Sequence, residues 1–95
     1  MQKTIYSTQH QVLLDLLRQA RTERAVTQQE LSQRIGMSQS DISKVERGVR
    51  RLDILELRVW LAGLEVPLAS FAKTLDAKLS AAEAVARQAS GRKKT

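Results

Sequence analysis

Five polar side chains between residues 39 and 47 lie at helical spacing and form one stripe without an acid. At roughly 100° per residue the stripe covers about 140° of a helix surface. Its members are an amide, two hydroxyls and two cations: Gln39, Ser40, Ser43, Lys44 and Arg47. Ile42 and Val45 fall on the opposite side. Such a surface complements the edges of bases and the phosphates of nucleic acid.

More cations follow this stripe. Between Ile42 and Arg51 the chain has four cations and one acid, which favours phosphate contact by Arg47, Arg50 and Arg51. The whole chain carries 16 Lys and Arg against 10 Asp and Glu, and the net charge of +6 suits an anionic partner. The alternative interpretations are an ordinary solvated helix face for the stripe and solubility charges for the arginines.

The composition argues against most other kinds of site. With no Cys and one His, thiol catalysis and Cys-ligated zinc are excluded, and a transition-metal site has few ligands. No paired carboxylates, nucleophile–base set or phosphate-cradling loop is found, so the sequence predicts neither enzyme activity nor a cofactor. One Trp, one Tyr and one Phe are too few for stacking bases on aromatic rings. No apolar run is long enough for a membrane span, so no membrane partner is expected.

Helix signals account for the elements that position these residues. Four Gly, one Pro and little apolar–polar alternation argue against a sheet protein. Capping-box spacing recurs in four pairs: Thr8 with Gln11, Thr27 with Glu30, Ser38 with Asp41, and Asp53 with Glu56. Together with apolar periodicity, these pairs predict an all-α fold with helices over 9–24, 28–34, 39–47 and 54–62, and a fifth helix from Pro67. Gly36, Gly48 and Gly63 are the expected helix stops.

Residues 27–48, TQQELSQRIGMSQSDISKVERG, give a helix, a turn with Gly and a second helix. This is the helix-turn-helix pattern, whose second helix enters the major groove of DNA. From about Leu13 to Phe71 the sequence resembles the phage-repressor (Cro/repressor, or Xre-type) helix-turn-helix family. The residues that carry the likeness are Leu17, Arg18, Arg21, Thr27, Gln28, Glu30, Leu31, Ile35, Gly36, Ile42, Ser43, Glu46, Arg47, Gly48, Asp53, Leu57, Leu64, Glu65 and Val66. The resemblance implies a compact five-helix, lambda-repressor-like domain with an additional or extended C-terminal helix.

The resemblance also implies roles on the predicted second helix of the motif. Gln39 matches a Gln that reads a base, most often adenine, and Ser40, Ser43 and Lys44 match variable base-reading positions. Gln28 matches a Gln that contacts phosphate and braces the first residue of the reading helix.

A structural pair and a set of backbone contacts complete the predicted site. Arg21 and Glu46 match a pair that forms a buried salt bridge, and we interpret it as architecture. The predicted phosphate contacts are Arg18, Gln28, Ser38, Arg47, Arg50 and Arg51. The sequence departs from the family pattern at Ala25-Val26, where Gly or Asn is usual, and at Leu52, which replaces a frequent Pro.

The domain organisation is predicted as an N-terminal arm over 1–8, a DNA-binding domain over 9–75, a helical extension over 76–90 and a basic disordered tail over 91–95. Val12 and Leu16 project from the face that Leu13 and Leu17 bury, so a further segment must cover the first helix. Either the arm or the C-terminal helix fits that need.

The sequence therefore predicts a cytoplasmic, nucleoid-associated transcriptional regulator of prokaryotic type that binds specific double-stranded DNA, with repression as the expected mode. A homodimer is expected, because one small module makes few contacts and helix-turn-helix dimers bind two half-sites ~34 Å apart. Polymerase is a possible protein partner. The alternative is an antitoxin that binds a protein toxin and regulates its own synthesis through the same motif.

Overall fold

The computed structural model describes residues 5–92, and the side chains of residues 8–87. Within that range the chain forms five α-helices and no strand, so the predicted all-α fold is confirmed. The helices are α1 (Ile5–Glu23), α2 (Gln28–Ile35), α3 (Gln39–Glu46), α4 (Ile54–Gly63) and α5 (Leu68–Arg92). Helix α3 packs on α1 and α2, while α4 packs on α2 and α5. The helix-turn-helix pair therefore packs on α1 and α4, and α5 packs on both of these helices.

Capping side chains fix the starts of α2 and α4, as predicted. The Thr27 hydroxyl accepts from the Glu30 amide at 3.0 Å, and the Thr27 amide donates to the Glu30 carboxylate at 2.8 Å. Asp53 and Glu56 exchange the same two bonds, at 2.7 and 3.0 Å. Each reciprocal pair satisfies two amides that have no partner in the helix. The bounds of both helices are thus set locally.

Helix α1 differs from the prediction at its first turn. It begins at Ile5 rather than at Gln9, so Thr8 lies inside the helix and does not cap it. Gln11 donates instead to Asp15 at 2.8 Å, one turn further along. Residues 5–8 of the expected arm are consequently helical, and residues 1–4 lie outside the described residues.

Two of the three predicted glycine stops hold. Gly36 (φ +76°), directly after α2, and Gly48 (φ +81°), which follows the C-cap residue Arg47 of α3, both adopt the left-handed conformation. Gly63 does not: it belongs to the last turn of α4, and Glu65 takes the left-handed position with φ +61°. A Cβ at Gly63 would lie 2.5 Å from Cγ2 of Ile35, so this glycine allows α4 to approach α2 closely.

The buried apolar residues form one core, to which each of the five helices contributes. Leu31, Ile42, Trp60 and Leu61 are fully buried, and Leu17 is 1% exposed. Burying side chains of this size contributes about 1.5–3 kcal/mol each relative to leaving them exposed. Among the described residues the indole Nε1 of Trp60 has no hydrogen-bond partner, so packing holds the ring.

Helix α5 covers the second apolar side of α1. Leu16 is buried, with 8% of its surface exposed, and belongs to the same apolar cluster as Phe71 of α5. Near the start of α1, Gln9 donates to Glu83 of α5 at 2.9 Å. Of the two segments considered for this role, the C-terminal helix provides the cover.

Helix α5 is continuous, so the C-terminal helix is an extension of the fifth helix and not an additional one. It runs without interruption from Leu68 to Arg92, across the boundary placed after residue 75 and into the expected tail. Residues 93–95 lie outside the described residues. The division into a DNA-binding domain and an extension stays a prediction.

Candidate nucleic-acid interface

The pair α2 and α3 presents the polar stripe outward. The Ser38 hydroxyl accepts from the Asp41 amide at 3.0 Å and begins α3 directly after the turn at Gly36 and Met37. Ile42 and Val45 of α3 are buried. Because these two anchor the helix from below, the opposite face is left toward solvent.

The four predicted base-reading residues lie together on that face. The side chains of Gln39, Ser40 and Lys44 are exposed, and within the described part of the chain none of them makes a hydrogen bond or an ion pair. Ser43 is half-buried, and its hydroxyl accepts from Nε of Arg47 at 3.2 Å. Three of the four groups are thus available to an external partner, and the fourth holds Arg47 beside them.

The arginines at and after the end of α3 differ in exposure and in whether the side chain has a partner within the protein. Arg51 is exposed and unpaired among the described residues, and Arg47 is exposed at the helix end. Arg50 donates from Nη2 to the Glu56 carboxylate at 2.9 Å. That hydrogen bond, with the charges of Glu56, Asp41 and Asp53, raises the pKa of the guanidinium. A phosphate contact by Arg50 would therefore compete with Glu56.

A buried carboxylate joins α1 to the end of α3. Glu46 is 4% exposed, and Arg21 donates to both of its oxygens, from Nε at 2.7 Å and from Nη2 at 2.9 Å. The third nitrogen of Arg21 donates to the carbonyl of Val26 at 2.8 Å. The pair implied by the resemblance is therefore formed with bidentate geometry, which is the strongest form of such a contact.

Two predicted phosphate contacts converge on the same carboxylate. Gln28 donates to Oε1 of Glu46 at 2.9 Å, and Nε of the exposed Arg18 lies 3.7 Å from that oxygen. The bond from Gln28 thus runs to the end of α3 and not to Gln39 at its start. The spacing of Arg18 and Arg21, one turn apart on α1, was the available signal for part of this cluster.

The charge of Glu46 is stabilised in this cluster despite its burial. Burial is the largest influence and raises the pKa of the carboxyl, but hydrogen bonds from Arg21 and Gln28 and the charges of Arg21 and Arg18 together outweigh it. The pKa of Glu46 is consequently below its usual value of 4.5. One ionised carboxylate thus binds the guanidinium of Arg21 and the amide of Gln28, and it attracts the exposed guanidinium of Arg18.

Other kinds of site find no support in the part of the chain that the structure describes. No three His, Asp or Glu side chains there are grouped for a metal ion. None of the helices in that part combines the length and apolar character needed to cross a membrane.

Comparison with known proteins identifies the family. The family model for helix-turn-helix proteins matches residues 17–71, which include α2, α3, α4 and the buried Arg21–Glu46 pair. The chain belongs to the XRE-type helix-turn-helix family. No curated protein matches the chain. The family model and the similar XRE-family structure confirm the resemblance seen in the sequence.

Solved structures of this family superimpose on most of the chain. An XRE-family-like protein from Pseudomonas syringae pv. tomato is 38% identical, with a TM-score of 0.74 over 78% of this chain and 90% of that one. The wild-type restriction–modification controller protein C.Esp1396I is 27% identical, with a TM-score of 0.69 over 75% of this chain and 93% of that one. The controller has also been solved as a tetramer in complex with its natural 35-base-pair operator. As an XRE-type helix-turn-helix protein, the chain is a DNA-binding transcription regulator.

Proposed function

We propose that the protein binds a specific operator by inserting the segment 39–47 into the major groove. The exposed, acid-free stripe of α3 carries this proposal, because Gln39, Ser40 and Lys44 have no partner in the described part of the chain. An amide presented in this way offers the donor and acceptor that adenine requires in the major groove. Ser43 and Lys44 supply further contacts to bases or phosphates.

Contacts to the phosphates of the DNA backbone would hold α3 in register in the groove. Arg47 and Arg51 are exposed beyond the end of α3, and Ser38 lies at its start. Gln28 is hydrogen-bonded to Glu46, and the exposed Arg18 lies near the same carboxylate, so both lie at the edge of the motif where they would meet a phosphate. Arg50 would join them by exchanging Glu56 for a phosphate.

The regulator would act as a homodimer on two half-sites. A spacing of ~34 Å between reading helices is one turn of DNA, so a palindromic operator would match a two-fold dimer. The tetramer of the related controller on its 35-base-pair operator supports binding by more than one copy. Repression by occluding a promoter on the nucleoid is the simplest outcome of such binding. The antitoxin alternative stays a prediction.

Selection of DNA from a random library tests the proposal. The full chain should enrich a palindromic consensus, since each subunit reads one half-site. Gln39→Ala should weaken binding to that consensus by about 1–3 kcal/mol and flatten the preference at one position of each half-site.

Gln33→Ala is the matched control, because Gln33 is an exposed amide on α2 outside the stripe. It should leave the consensus unchanged. An unaltered consensus for Gln39→Ala would remove the assignment of base reading to Gln39, and recovery of random DNA by the wild type would overturn specific binding.

A further inference from the structure

The ends of α1, α3 and α4 share one backbone motif with a valine at the same position. In each, the amide of the valine donates to the carbonyl five positions earlier: Val26 to Arg21 at 3.2 Å, Val49 to Lys44 at 2.8 Å, and Val66 to Leu61 at 2.9 Å. The residue before each valine is left-handed: Ala25 (φ 57°), Gly48 (φ 81°) and Glu65 (φ 61°). Its amide donates to the carbonyl three positions earlier, at 3.0 Å in all three motifs. All three are therefore Schellman motifs.

Two of the three valines pack inward, and the third does not. Val26 belongs to the core with 6% of its surface exposed, and Val66 is partly buried against that core. Val49 is 65% exposed. The apolar side chain at this position of a Schellman motif commonly contacts the third or fourth residue from the helix end. For Val49 these residues are Lys44 and Ser43, so the motif offers it no apolar partner.

The backbone nevertheless holds Val49 in a fixed place. The amide of Arg50 donates at 3.2 Å to the same Lys44 carbonyl that binds the Val49 amide. A Cβ at Gly48 would lie 3.1 Å from Cδ1 of Leu14, so this turn packs closely on α1. The branched side chain of valine also has few χ1 rotamers. Binding through Val49 would therefore cost little conformational entropy.

Val49 lies within the cationic segment that follows the reading helix. Its neighbours in the chain include Arg47, Arg50 and Arg51, and its amide is bonded to Lys44 of the polar stripe. A single exposed valine is ordinary on a protein surface. This one, however, lies at the edge of the surface proposed to enter the major groove. In that groove the 5-methyl group of thymine is the feature that an apolar side chain recognises.

We propose that Val49 reads thymine, through contact of its methyl groups with the 5-methyl group of one thymine in each half-site. This inference rests on the proposed function and adds a specificity-determining residue outside the segment 39–47. The amide of Gln39 and the hydroxyls of α3 recognise hydrogen-bonding groups, which do not report the methyl group of a base. Val49 would supply that discrimination.

Replacement of thymine by deoxyuridine tests the contact, because uracil lacks only the 5-methyl group. The full chain first selects a consensus operator from random DNA, and each thymine of one half-site is then replaced singly. At one position the replacement should raise the Kd about fourfold, which is the effect of losing one buried methyl group. Fluorescence anisotropy of labelled duplexes measures the Kd.

Variants at position 49 assign the effect to this side chain. Val49→Ser removes both methyl groups, so it should bind the thymine and deoxyuridine duplexes equally. Val49→Ile keeps a branched apolar side chain and should retain the preference for thymine. Val85→Ser is the matched control, since Val85 is exposed at 66% on α5, which does not contact α3. It should behave as the wild type does, and circular dichroism verifies that all three variants are folded.

Failure of this contact and failure of the proposed function are distinguishable. A wild type that enriches no consensus overturns the proposed function itself. A consensus operator whose binding is insensitive to every deoxyuridine replacement overturns thymine reading and leaves operator binding intact. Sensitivity to the methyl group that persists in Val49→Ser assigns the contact to another residue.

Discussion

Glu46 contacts the buried Arg21 and two of the six predicted phosphate contacts, Gln28 and Arg18. Its carboxylate is fully buried, and it neutralises Arg21, whose side chain is 12% exposed. Removing one partner of a buried pair leaves a charge without compensation, which is far more costly than the net worth of the intact pair. Loss of the pair would destabilise both α1 and α3, because Arg21 lies on α1 and Glu46 lies on α3.

Glu46→Gln should lower the free energy of unfolding by about 3 kcal/mol, because the buried Arg21 then has no counter-charge. Urea denaturation measures this difference. Glu23→Gln is the control, since Glu23 makes an exposed contact with Gln19 and should change stability by less than ~0.5 kcal/mol. Equal effects of both substitutions would contradict a structural role for the buried carboxylate.

Acid should destabilise the protein through the same residue. The pKa of Glu46 is lowered from 4.5, because the hydrogen bonds and charges around it outweigh its burial. A group with a lowered pKa stabilises the fold fully above its unfolded value, and this contribution is lost as the pH falls through the folded value. The free energy of unfolding should therefore decline below pH 4.5.

Urea titrations at a series of pH values test this decline. Glu56 and Glu30 contribute in the same direction, because backbone hydrogen bonds from Asp53 and Thr27 lower the pKa of each carboxyl. Glu46→Gln should accordingly show a shallower decline without abolishing it. An unchanged pH dependence in the variant would place the effect elsewhere.

Between elements, the contact of α2 with α4 depends on Gly63. Gly63→Ala would improve helix propensity by about 1 kcal/mol. The new methyl, however, would meet Cγ2 of Ile35 at 2.5 Å and Cδ1 of the buried Leu31 at 3.0 Å. Overpacking of this kind costs about 1–3 kcal/mol, so the net change should be a loss of about 1 kcal/mol.

A double-mutant cycle separates the steric cost from propensity. Ile35→Leu removes the branch at Cγ2 and conserves volume, so Gly63→Ala should be less destabilising in that background. Thermal or urea unfolding of the four proteins gives the coupling energy. Additive changes in the free energy of unfolding would contradict the steric clash, because they would mean that α2 and α4 can move apart at no cost in stability.

The sequence predicted those elements whose ends are determined locally. Thr27 caps α2 together with Glu30, and Asp53 caps α4 together with Glu56. Gly36 ends α2 in the left-handed conformation. These contacts involve neighbours in the chain, so residue type and spacing are sufficient to find them. The stripe of α3 follows for the same reason, because Ile42 and Val45 fix which face is inward.

The features that the sequence did not predict depend on contacts between residues that are distant in the chain. Gln9 of α1 bonds to Glu83 of α5, which lies 74 positions away in the chain. Gly63 is required by Ile35, and no local signal distinguishes it from a helix stop. Gln28 bonds to Glu46 and not to Gln39, since packing of α2 against α3 decides which group it reaches.

Over the whole molecule, the net charge of +6 should make DNA binding strongly dependent on salt. Arg51→Ala should reduce the slope of log K against log salt by about one unit, since one phosphate contact is lost. Folding should be unaffected, because Arg51 is exposed and unpaired in the described part of the chain. Fluorescence anisotropy of a labelled operator at several salt concentrations gives the slope.

Lys73→Ala removes the same charge from α5, which does not contact α3. It should leave the slope nearly unchanged. An equal reduction in both variants would mean that net charge, and not a local phosphate contact, determines the affinity.

The single tryptophan gives this molecule an internal optical reporter. Trp60 lies on the inner side of α4 and is fully buried within the subunit. Separation of the two subunits leaves the indole in its apolar surroundings, so the emission spectrum should stay blue-shifted. Unfolding exposes it to water and should shift the emission to longer wavelength. The emission spectrum thus reports unfolding without a contribution from dissociation.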